Sequence, residues 1–118
     1  MSDWNPATVE AAIHECAQRI AQGVMKADKA YRAFLEADRS YDLAFARAYL
    51  SHEALPAHAR KYQAEIDTAD KREARDVADA AYKLMASNMK AIQYELDALR
   101  SIGTSVRQAY AVAGRGEI

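Results

Sequence analysis

With 118 residues, 51% of them hydrophobic, and a formal net charge of −1, the chain is sized for one domain, residues 1–118, and lacks the basic excess that draws a protein to nucleic acid or anionic membrane. Much of the apolar share is alanine, so the core must be thin. Two prolines, four glycines and abundant Ala, Glu, Lys, Arg and Leu are the usage of long helices, which predicts an all-α fold.

The first helix starts at Asn5-Pro6, a cap followed by the one helical position that tolerates proline, and its periodicity continues to about residue 50. As heptads, Ala17, Val24, Tyr31, Asp38 and Phe45 fall at one core position, and Ile13, Ile20, Ala27, Phe34, Tyr41 and Ala48 at the other. A flanking position carries Cys16, Gly23, Ala30, Ala37 and Ala44, small residues that let a second helix approach closely. "SHEALP", residues 51–56, ends the pattern, and Pro56 predicts a reversal and the opening of a second helix.

That second helix covers about 57–102, with Tyr82, Met89, Leu96, Gly103 and Tyr110 alternating with Met85, Ile92, Leu99 and Val106. Tyr62, Ile66 and Ala69 fall out of this phase, which predicts local unwinding near residues 70–74, inside the charged run "DKREARD". The two helices then form an antiparallel, coiled-coil-like hairpin. Folding it near residue 54 places Asp38 opposite about residue 70, with Lys71, Arg72 and Arg75 as candidate partners, Ile13 near Tyr94 and Val9 near Ala98.

Beyond Ile102 the apolar stripe outruns its partner. Either Gly103 breaks the helix and Thr104 caps a short third helix that folds back near Trp4, or the segment continues to about residue 112 and packs on another copy of the protein. We take the second course, with Ile102, Val106, Ala109 and Tyr110 as the oligomer interface and residues 113–118 as a flexible tail.

The search for chemistry is negative. His14, His52 and His58 lie apart without ligand spacing, no phosphate-cradling glycine loop occurs, and Ser101, Thr104 and Ser105 lack a nearby histidine, so capping and helix termination explain these hydroxyls. The expectation is a protein that is not an enzyme and holds neither metal nor cofactor. Cys16 alone excludes an internal disulfide, and neither a signal peptide nor a transmembrane run is evident, so the expected setting is the cytoplasm, without membrane contact. One positive signal remains: from Lys83 to the end the five cations Lys83, Lys90, Arg100, Arg107 and Arg115 outnumber Glu95, Asp97 and Glu117, a mildly basic balance. An oligomer would multiply these cations into a phosphate track for single-stranded DNA. The competing assignment has the arginine stems covering the seam and pairing with carboxylates.

The run "ADKAYRAFLEADRSYDLAFARAYL", the helix "RKYQAEIDTADKREARDVADAAYKLM" and the ending "IQYELDALRSIGTSVRQAY" together resemble small helical proteins of tailed bacteriophages and prophages, often encoded among replication and recombination genes. The resemblance spans residues 27–113, and its specific part is Leu96, Leu99, Arg100, Ser101, Ser105 and Arg107. It implies a phage accessory protein that assists recombination or replication, through single-stranded DNA or a protein of that machinery. The alternative is a helical adaptor or inhibitor of a host protein, such as a defence factor.

Overall fold

The computed structural model describes residues 3–116, with side-chain surroundings through residue 114. The described residues are all-helical: α1 (Pro6–Ser51), α2 (Ala57–Asp67) and α3 (Ala69–Gly116). They fall into two compact units, a first built from Met1–Met25 with Ala86–Ile118 and a second from Lys26–Met85.

The start of α1 follows from Asn5. Its side-chain oxygen accepts the Thr8 backbone N–H at 3.0 Å, while its own N–H donates to the Thr8 hydroxyl oxygen at 2.8 Å. Two of the donors that open a helix are thus satisfied reciprocally, and Pro6 contributes no donor that would need a partner.

In the first unit α1 and α3 run antiparallel around Val9, Cys16, Leu96 and Leu99, all buried, with Trp4, Ala12, Ile13, Ile20 and Ile92 packed on this core. Gly103 is buried too, and a Cβ built there would sit 3.6 Å from both Val9 and Ile13. Two cross-helix ion pairs border the seam, Arg19 with Glu95 at 3.0 Å and Arg107 with Glu10 at 3.5 Å. Both are half-exposed and fix register more than they stabilise.

The second unit is a helical hairpin closed by residues 52–56. Arg60 holds the turn, donating to the carbonyls of Glu53 and Leu55 at 3.0 Å each and lying 5.1 Å over the Tyr49 ring. His52 Nε2 meets Asp67 Oδ2 at 2.6 Å, linking the end of α1 to the end of α2. Farther along, Tyr31 packs on Tyr82 with ring centroids 5.0 Å apart. Asp38 lies 4.0 Å from Arg75, whose guanidinium covers the Tyr41 ring at 4.6 Å. Of the three cations proposed for Asp38, Arg75 is the partner, rather than Lys71 or Arg72.

Four sequence expectations are corrected. First, the inner face of α1 carries the small residues: Cys16 is buried and Gly23, Ala30, Ala37 and Ala44 are half-buried, whereas Ala17, Val24 and Tyr31 are exposed. Small side chains let the axes close, and the bulkier neighbours splay to the flank. Second, the helix break falls at Thr68 rather than at 70–74. Thr68 has φ −111° and ψ 15°, and its hydroxyl donates back to the Ala64 carbonyl at 2.7 Å, a bond that bends helices. Third, pairing is displaced along the returning strand of the hairpin: Asp38 meets Arg75, and in the first unit Ile13 lies against Gly103 rather than Tyr94. A reversal symmetric about residue 54 takes no account of the separate short helix α2 on the returning side. Fourth, α3 runs through Gly103 and on to Gly116, so among the described residues no separate helix starts after Gly103, and residues 113–116 are helical. Without a turn at Gly103, Thr104 caps nothing.

Candidate functional site: an apolar groove beside Trp4

The first unit leaves a groove of about 640 Å³ lined by Trp4, Ser101, Ile102, Ser105, Val106, Ala109 and Tyr110. Its position follows from chain arithmetic inside that unit. The α1 helix begins only at Pro6, whereas α3 continues well past the residues that pair with its first turn. The Asn5 cap fixes the chain entering α1, and this sets Trp4 as one wall. Successive turns of α3 make the other, since residues three and four apart share a helix face.

All four expected interface residues line this groove, Ile102 and Val106 half-buried, Ala109 and Tyr110 exposed, with Tyr110 at 54%. Trp4, Ser101 and Ser105 complete it and were not assigned to the site from sequence. The available signal was the single tryptophan directly before the helix cap. No lining residue is charged. The Ser101 hydroxyl donates to the Asp97 carbonyl at 3.2 Å and thus back onto its own helix, which mutes the polarity of that wall. Thr104, outside the groove, does the same to the Arg100 carbonyl at 3.1 Å.

None of the expected cations lines this groove. Lys83 belongs to the second unit and pairs with Asp79 at 2.9 Å. Arg107 is held by Glu10. Lys90 and Arg100 are exposed and form no ion pair with described residues. At 3.6 residues per turn, Arg100 and Arg107 project roughly 150° around α3 from the centre of the groove-lining face. The Arg115 side chain lies outside the described residues. Among the described residues the expected apolar set lines one groove, and the expected cations lie off it.

The His52–Asp67 pair has the geometry of a base and its orienting carboxylate, and its hydrogen bond, with a second from Gln63 at 2.9 Å, holds the Asp67 carboxyl below its ordinary value. Nearby hydroxyls are committed elsewhere: Ser51 donates to the Ala48 carbonyl at 2.7 Å, and buried Thr68 to Ala64. The pair reads as a latch on the turn. His14 faces Gln18 at 3.3 Å. Among the described residues no three His, Cys, Asp or Glu side chains converge on a metal-sized site, and no helix is long and apolar enough to cross a membrane.

No known protein family, curated protein or solved structure gives a significant match to this chain.

Proposed function

We propose that the protein is a non-enzymatic binding module whose working surface is the groove between Trp4 and the C-terminal part of α3, where it takes the apolar face of a helix. One observation carries this reading: the groove is apolar, uncharged along its whole lining and open, running along α3 beside the start of α1 as far as Tyr110. An uncharged concave surface of this kind recognises side-chain packing rather than phosphate. In the phage setting that the resemblance implies, the protein assists replication or recombination by holding proteins together. Direct contact with single-stranded DNA has weaker support, because Lys83 and Arg107 are paired and Arg100 projects away from the groove. A photo-crosslinking amino acid at Tyr110 of the full chain tests the reading inside cells. Adduct yield at Tyr110 should far exceed that at Tyr94, which is more exposed at 70% but is not a groove residue. Equal yields at the two positions would refute it.

A further inference from the structure

We infer that Met89 is a peroxide-responsive modification site: oxidation of its thioether to the sulfoxide forces α3 away from Gly23 on α1 and loosens the first unit. The inference is independent of what occupies the groove.

The shape of the contact is the first argument. A Cβ built on Gly23 would meet the Met89 sulfur first, with the Met89 Cγ and Cε both 3.6 Å away behind it. Two equidistant carbons behind the sulfur mean that the apex of the thioether bend points at the glycine. The sulfur lone pairs lie on that apex side, away from both carbons, so an oxygen added to either one enters the space between the sulfur and the α1 backbone. Both sulfoxide epimers therefore crowd the contact. Glycine has no side chain to move aside. The added oxygen also finds no backbone donor, because Gly23 lies deep inside α1, where each N–H is already bonded four residues back. A Cβ on Gly103, in contrast, would meet its neighbours at ordinary contact distances of 3.5–3.6 Å.

Placement supplies the second argument. Gly23 follows Ile20 by one turn and Met89 precedes Ile92 by one turn, and both isoleucines pack on the core of Cys16, Leu96 and Leu99. Parting the helices at Gly23 therefore loosens the packing beside it. Met89 is half-buried, so a small oxidant reaches its sulfur whenever the two helices part locally. A sulfur lone pair then attacks one oxygen of a peroxide. The S–O bond forms as the O–O bond breaks, and the departing oxygen takes up the proton and leaves as water or an alcohol. The sulfur is oxidised by two electrons and the peroxide reduced by two. The sulfoxide no longer fits over Gly23, so the product holds the opened state until a reductase restores the thioether. Met25, 75% exposed, is a thioether on the same chain whose oxidation disturbs no packing.

The test treats the full chain with hydrogen peroxide, removes the peroxide with catalase and assigns each sulfoxide by peptide mass spectrometry. Met25 should convert first and leave the urea midpoint where it was. Conversion of Met89 should then lower the midpoint by about 1 M, and the two methionine sulfoxide reductases, one for each epimer, should restore it. Met89→Leu, a swap of similar volume, should hold its midpoint under the same treatment, whereas Met25→Leu, at an exposed position, should respond as wild type does. Full conversion of Met89 with an unchanged midpoint would overturn the inference. An equal fall in the Met89→Leu chain, or loss of the response in Met25→Leu, would overturn it too, by tracing the effect to other side chains. So would a Met89 thioether that stays intact in the native chain long after Met25 is fully oxidised.

Discussion

Gly23 faces Met89 so closely that a Cβ added to the glycine would run into the methionine sulfur. Gly23→Val should therefore destabilise the first unit by about 1–3 kcal/mol, the usual cost of overpacking. Combined with Met89→Ala, the loss should be smaller than the sum of the two single losses, because the residue that clashes is gone. A double-mutant cycle by urea denaturation measures this coupling, and strict additivity would mean that Met89 swings aside at no cost. At the other end of the chain, Asp67 has its carboxyl lowered by its hydrogen bonds to His52 and Gln63. A depressed carboxylate stabilises the fold above its ordinary value of 3.8, and that contribution is lost as pH falls through the lowered value. Asp67→Asn should lower the urea midpoint at neutral pH and flatten its decline as pH falls below the ordinary carboxylate value of 3.8, relative to wild type.

Among the elements, the α2–α3 junction is the place where the helical pattern yields. Thr68 is buried and bonds back to Ala64, so Thr68→Ala removes the bond that bends the chain, opens a small space and improves helix propensity. These effects oppose one another, and the expected stability change is below about 1 kcal/mol with a gain in helical circular dichroism. Asp38→Leu should likewise leave the second unit folded, since Asp38 is only half-buried and Arg75 keeps Asp76 at 3.2 Å and the Tyr41 ring as partners. A drop of several kcal/mol in thermal denaturation would instead show Arg75 stranded by the change.

The seam of α3 was legible in the sequence because Ile92, Leu96 and Leu99, which pack in the core, and the half-buried Met85 and Met89 recur at heptad spacing. On α1 the same logic picked Val24, which is 55% exposed, over Gly23. Periodicity fixes the spacing of a stripe, and residue size alone does not say which of two adjacent stripes lies inward. The Arg60 clamp and the His52–Asp67 latch were not legible at all, because each depends on the three-dimensional closure of the turn.

At the scale of the whole molecule the groove was readable in outline, since Val106 and Tyr110 continued a stripe past the end of their partner, while its second wall required knowing where the cap sets Trp4. Truncation there must be chosen with care. Cutting after Ser101 would uncover Val9 and Ile13 by removing Gly103, whereas a chain ending at Gln108 retains Gly103 and the Arg107–Glu10 pair. That shorter chain should keep its remaining helicity and, without Ala109 and Tyr110, lose binding at the groove, which crosslinking from Val106 in cells would read directly. The one cysteine offers a further handle. The Cys16 thiol is 1% exposed and 3.5 Å from the Ile92 carbonyl, enclosed where α1 meets α3. A thiol-directed reagent reaches it only when those helices part, so labelling kinetics become a chemical clock for local opening. Leu99→Ala, at a typical cost of about 2–5 kcal/mol, should speed that clock at least tenfold, reading the free energy of opening of the first unit directly.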